Sequence, residues 1–347
     1  MIDLSNLDEI KKLDPKNVYG STELFVDQCE QIWADAQSMT FPEEYKDFEN
    51  IILCGMGGSA YAGYVIQSLF KNSLKIPFYS NNDYDLPIFA NEKSLIILSS
   101  YSGTTEESLS CGQEAIEKGL KITGITNGGK LTELLKSHNL PFLQFDPKNN
   151  PSGQPRLGTG YMVLGTIALL VRAGLLKIDN DEVEKAINEV KENMEKTKNE
   201  AINLAKEIVG FSPVIMSCRF LNGNAHVMRN QFNETAKTFS AFEDIPELNH
   251  HLMEGLKYPE NNKLAVLFLK SNLYENIYQK RIALTDDVIK KNNIKSLYFE
   301  PSGTTELSQV LTTLVFGGYV TLYLAFLYNL DPSLIPWVDY FKDQLKK

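Results

Sequence analysis

Short, unbroken apolar runs recur at 50–54, 76–80, 94–99, 121–125 and 141–145, with helical stretches between them. A strand covered on both faces reads as a continuous run of this kind, and strands that alternate with helices build a parallel sheet. A second series follows at 213–217 (PVIMS), 264–269 (LAVLFL) and 294–299 (IKSLYF). An acidic arm with helical spacing precedes the first series, over about 7–46. Between the two series the spacing predicts an apolar helix over 161–176 and a charged amphipathic helix over 180–208, after a Pro/Gly-rich turn at 150–160 (NPSGQPRLGTG). The pattern predicts an α/β chain of two domains, 1–178 and 179–347, each a mostly parallel sheet flanked by helices. A length of 347 residues suits two such units.

One run is too long for a strand. Residues 310–330, VLTTLVFGGYVTLYLAFLYNL, carry no charge and are long enough to span a bilayer. Their Thr, Tyr, Gly and Asn content, and the lack of closely bracketing Lys or Arg, point instead to a helix buried in the core or at a subunit interface. The beginning, MIDLSNLDEIKKLD, lacks the apolar region of a signal peptide. Cys29, Cys54, Cys111 and Cys218 are scattered and form no CxxC pair, as expected of reduced thiols in a cytoplasmic protein. The formal charge of −10 argues against a nucleic-acid partner. It also denies an anionic substrate long-range steering, so any anion site must work at short range.

Two strand ends could supply such a site. The run at 51–60, IILCGMGGSA, passes from a strand into a glycine turn. Gly57 and Gly58 remove the Cβ atoms that would keep an anion from converging N–H groups, and Ser59 adds a hydroxyl at the helix start. The turn has neither the third glycine of a dinucleotide fingerprint nor the Gly-Lys-Ser/Thr ending of a P-loop. The run at 95–107, LIILSSYSGTTEE, ends in Ser100, Ser102, Thr104 and Thr105. Four hydroxyls exceed what capping one helix requires, and with a helix N-terminus they could satisfy the three oxygens of a phosphate monoester. The pentapeptide SGTTE recurs at 302–306, either as a repeated N-cap sequence or as a trace of two related domains.

The segment 233–250 places Glu234 and His250 sixteen residues apart in a chain with four histidines. The pair reads either as a base and a proton shuttle or as a surface carboxylate and a capping imidazole. Of the other histidines, His138 lies in a charged helix, and His226 is a packing residue or a loop donor. With no HxH or HExxH pattern, the sequence predicts neither a metal nor a cofactor.

The turns GMGGSA and SYSGTTEE resemble the two signature turns of the sugar isomerase (SIS) domain family. The resemblance implies phosphate contacts from Ser59, Ser100, Ser102 and Thr105. NETAK at 233–237 and PELNH at 246–250 are similar to the bifunctional phosphoglucose/phosphomannose isomerases, a branch of the phosphoglucose isomerase superfamily. So are QPRLG at 154–158 and the ending DPSLIPWVDYFKDQL at 331–345. The resemblance implies two SIS-type domains with the site between them, at the carboxyl ends of the strands. It implies Glu234 as the proton-transferring base, Arg156 as the cation for the enediolate, and Lys342 with His250 in ring opening. His250 would come from the partner subunit of a homodimer. The implied activity is reversible, metal-independent interconversion of glucose 6-phosphate and mannose 6-phosphate with fructose 6-phosphate through a cis-enediol.

Two positions depart from that pattern. His251 follows His250 where relatives often have Asn, and Thr104 stands where they often have Asn. The alternatives in view are another SIS sugar-phosphate isomerase or amino-sugar enzyme, a non-catalytic sugar-phosphate sensor, and a purely structural dimer. The acidic N-terminal arm lacks the basic recognition helix that would accompany a sensor.

Overall fold

The computed structural model describes residue 4 and residues 6–345. Two separate parallel sheets carry the fold. The first contains β1 (Asn50–Cys54), β2 (Phe78–Asn81), β3 (Ser94–Ser99), β4 (Lys121–Thr126) and β5 (Phe142–Gln144), in the order β2-β1-β3-β4-β5. The second contains β6 (Ser212–Cys218), β7 (Ala241–Ile245), β8 (Leu264–Leu269) and β9 (Lys295–Phe299), in the order β7-β6-β8-β9. All pairings are parallel, as the unbroken apolar runs require. The exception to the sequence pattern is β7. It is an edge strand reading AFEDI, half-buried except at Ile245, so it carries no apolar run to reveal it.

Helices α1 (Leu7–Leu13), α2 (Val18–Glu23) and α3 (Phe25–Ala36) form the N-terminal arm. Around the first sheet follow α4 (Tyr61–Leu69), α5 (Glu106–Glu117) and α6 (Gly129–Ser137). After it come α7 (Thr159–Arg172) and the long α8 (Asn180–Ile208). The second sheet is served by α9 (Asn222–Glu234), the short α10 (Leu252–Gly255), α11 (Asn276–Lys291) and α12 (Glu306–Leu327). Helix α13 (Pro336–Leu345) ends the described chain.

The two sheets share one plan. In each, a first strand leads through a helix (α4 or α9) to the outer neighbour, and a third strand leads through another helix (α5 or α11) to the fourth. By this correspondence β6 matches β1, and β9 matches β4. The repeated SGTTE therefore does not sit at equivalent places: the first copy follows β3, the second follows the counterpart of β4. Helices α4 and α9 pack on each other and join the two halves.

The apolar run at 310–330 lies in α12 as far as Leu327; the helix is buried from Leu307 to Phe326 and packs along α8 and α9. By length and composition it could cross a membrane, but here it is the central core helix. Its threonines fit because their hydroxyls bond back to carbonyls of the preceding turn: Thr312 to Ser308 (2.8 Å), Thr313 to Gln309 (2.7 Å) and Thr321 to Gly317 (2.8 Å). Tyr319 likewise donates to Glu23 Oε1 at 2.7 Å.

Candidate active site

The glycine turn forms a 3-10 turn, Gly57–Ala60, between β1 and α4. Its two glycines serve different ends. Gly57 has φ +51°, where an L side chain is strained, yet a Cβ there would meet nothing within 4 Å. Gly58 lies in a tight spot: a Cβ would come 2.9 Å from Arg156 Cα and 3.0 Å from Arg156 N. The missing side chain lets the turn lie directly against the 3-10 turn Pro155–Leu157, which carries Arg156.

The second turn is tied to the first. Ser59 Oγ, buried, accepts from the Tyr101 N–H at 2.9 Å, and Ser99 Oγ donates to the Ser59 carbonyl at 2.7 Å. Ser100 Oγ lies 2.8 Å from Thr105 Oγ1, and Ser102 Oγ lies 2.9 Å from Thr104 Oγ1. Thr105 is the N-cap of α5, but its side chain makes no capping bond. In the other SGTTE copy, Thr305 forms a full capping box with Ser308 at the start of α12. The same five residues thus cap a helix at 302–306, whereas at 102–106 their hydroxyls pair with one another and with Ser100 beside the glycine turn.

Arg156 is held from several sides. One guanidinium nitrogen donates to Gln154 Oε1 at 3.0 Å, the other to the carbonyls of Pro332 (2.9 Å) and Ser333 (3.0 Å). The next carbonyl along, Asp331 O, accepts from Lys237 Nζ at 2.9 Å. Three successive carbonyls at 331–333 therefore anchor two cations. Arg156 is only 3% exposed, and its Nε–H has no hydrogen-bond partner among the described residues. That donor lies 3.9 Å from Glu234 Oε2.

Glu234 ends α9, and burial raises its carboxyl above the usual carboxylate range. Arg156 opposes this most, followed by Lys342 and then Lys237. Burial and the nearby Arg156 lower the Lys237 ammonium to about 8. A carboxylate raised by burial, yet attracted to fixed cations, suits proton transfer near neutral pH. The structure thus gathers Gly57, Gly58, Ser59, Ser100, Ser102, Thr105, Arg156 and Glu234 around one junction. Lys342, exposed on α13, joins them by its effect on Glu234.

His250 does not join this group within one subunit. Glu234 lies near the start of β7, where Asn233 Nδ2 donates to the Ser240 carbonyl at 3.2 Å. His250 is exposed in the 3-10 turn Glu247–His250, past the far end of the same strand. Between these two places runs β7, whose five residues span about 16 Å. The first sheet presents its two turns at the carboxyl ends of β1 and β3. The second sheet presents Glu234 from its amino end.

His226 is a packing residue on α9, stacked between Tyr64 (3.7 Å between centroids) and Phe242 (4.6 Å), and burial lowers its imidazole to about 4. On β7 and just past it, Glu243, Glu247 and His251 place three possible metal-ligating atoms within 4.8 Å of one another, with His251 Nε2 2.6 Å from Glu247 Oε2. Sequence reasoning missed the roles of Lys237 and the 331–333 carbonyls. Lys237 and the carbonyls stood inside quoted motifs, NETAK and DPSLIP. A backbone contact leaves no residue-type signal.

Residues 197–345 match the model of the bacterial phospho-glucose isomerase C-terminal SIS domain. The C-terminal domain of glucosamine-fructose-6-phosphate aminotransferase from Francisella tularensis shares the fold, with a TM-score of 0.65 and 13% identity over 89% of this chain and 96% of that one. The bifunctional phosphoglucose/phosphomannose isomerase of Caldicellulosiruptor bescii is 31% identical over 92% of this chain and 96% of its own length. That of Aquifex aeolicus is 31% identical over 96% of this chain and 99% of its own. With such similarity end to end, and with the SIS turns and the Glu234–Arg156 pair at one junction, the chain belongs to the bifunctional phosphoglucose/phosphomannose isomerase family.

Proposed function

We propose that this protein reversibly isomerises glucose 6-phosphate and mannose 6-phosphate to fructose 6-phosphate. The observation that carries the reading is the Glu234 carboxylate held 3.9 Å from the unpartnered Nε–H of buried Arg156, beside the glycine turn. In this reading the N–H groups at Gly57–Ser59 and the hydroxyls of Ser59, Ser100, Ser102 and Thr105 hold the phosphate. Lys342, with His250 of the partner subunit, opens the sugar ring.

Glu234 then takes the C2 proton of the open-chain aldose. The electron pair forms the C1–C2 double bond, and the charge collects on O1, where Arg156 stabilises it. Transfer of the O2 proton to O1, with return of the abstracted proton to C1, gives the ketose. Reprotonation of C2 on either face gives glucose or mannose 6-phosphate in the reverse direction. The domains divide near 178, and the working unit is a homodimer in the cytoplasm whose sites lie at the subunit interface.

The test is a coupled assay, with EDTA present, of glucose 6-phosphate and mannose 6-phosphate separately. Both should turn over. Glu234→Gln should lower kcat by about 10²–10⁴-fold while inorganic phosphate still protects the protein from heat. Full turnover in Glu234→Gln would remove the base from the scheme. Turnover of glucose 6-phosphate alone would remove the second specificity.

A further inference from the structure

Tyr61 opens α4 directly after the glycine turn and is fully buried. Its hydroxyl has no hydrogen-bond partner among the described residues. Buried hydroxyls nearly always have one, because an orphan costs about 1–3 kcal/mol. A second orphan stands at the same junction, the Nε–H of Arg156. Helix α4 packs on α9, whose last residue is Glu234, and its leading turn abuts the Arg156 turn. Among charged groups, the Tyr61 hydroxyl feels Glu234 most strongly and Arg156 next. Two buried donors without acceptors among the described residues thus stand at the junction that holds this carboxylate.

We propose that Tyr61 is a positioning residue: its hydroxyl, together with the Arg156 Nε–H, donates to the ionised Glu234 carboxylate and holds it toward the sugar. This rests on Glu234 being the base. A neutral donor has a particular use here. Glu234 already faces three cations, Arg156, Lys342 and Lys237, each of which favours its ionised form. A fourth charge would work against the burial that raises the carboxyl and weaken it as a base. A phenol fixes its orientation with less electrostatic effect. Burial keeps the Tyr61 phenol well above its ordinary value, so it stays a donor across the neutral range. Moving the carboxylate by about 1 Å closes the gap to Arg156 Nε to hydrogen-bond length.

The test is the titration of Glu234 itself, followed by ¹³C-carboxyl NMR and assigned by its loss in Glu234→Gln. Tyr61→Phe removes the donor and keeps the ring. It should raise the Glu234 pKa by about one unit and move the acid limb of kcat/KM upward by the same amount, with KM little changed. Replacing Tyr61 with fluorotyrosine, a stronger donor of the same shape, should move both the opposite way. A Glu234 titration that is unchanged, or lowered, in Tyr61→Phe overturns the proposal even if the wild type isomerises both sugars. If the titration shifts but the wild type turns over neither sugar, the Tyr61–Glu234 contact is upheld and the catalytic reading of Glu234 fails.

Discussion

Gly57 and Gly58 are neighbours in one motif, yet the structure makes opposite demands of them. At Gly57 the requirement is the left-handed backbone, since a Cβ would point into open space. Gly57→Ala should therefore cost about 1–2 kcal/mol in denaturant unfolding and leave kcat largely intact. At Gly58 the requirement is contact. A Cβ would strike the Arg156 backbone, which cannot swing aside as a side-chain end could. Gly58→Ala should push the Arg156 turn away from Glu234 and lower kcat by about 10–100-fold, because displacements near 1 Å are costly at a reacting centre. Equal kcat values in the two variants would show that the turn does not register Arg156. This difference is invisible in the string GMGGSA, which marks both glycines alike.

At the scale of elements, the two copies of SGTTE allow a controlled comparison. Thr305 caps α12 through Ser308, while Thr105 leaves the α5 cap unused and pairs with Ser100. Thr305→Ala should lower stability by about 1 kcal/mol, measured by urea unfolding, and leave the KM for sugar phosphate unchanged. Thr105→Ala should raise that KM several-fold with a much smaller loss of stability. If both variants behave alike, the hydroxyl pairing at 100–105 is ordinary helix capping. Eight of the nine strands were legible because both faces of a buried parallel strand must be apolar, and PVIMS or LAVLFL can read no other way. The ninth, β7, pairs on one side only and carries Glu243 and Asp244, so its polar pattern resembles a loop. Missing it also hid the distance between Glu234 and His250. A segment read as turn could bring those residues together, whereas a strand holds them apart.

For the whole molecule, that separation bears on subunit composition. Within one chain the base sits at one end of β7 and the imidazole beyond the other. Helix α13, which carries Lys342, also leaves Trp337 80%, Tyr340 59% and Phe341 62% exposed. In the proposed homodimer, large side chains this exposed on one helix would supply a contact surface, and the second copy would also return an imidazole to the site. The protein should then sediment at about twice its chain mass of 39.1 kDa. Trp337→Asp with Phe341→Asp should shift it toward the monomer and lower kcat. The decisive version mixes two inactive proteins, Glu234→Gln and His250→Ala, under conditions that let subunits exchange. If His250 acts across the interface, each mixed dimer assembles one intact site from the Glu234 of one chain and the His250 of the other. Random exchange makes half the dimers mixed, so activity should recover to about a quarter of the wild-type value. If His250 served its own chain's Glu234, every site in the mixture would lack one of the two groups, and no activity would return.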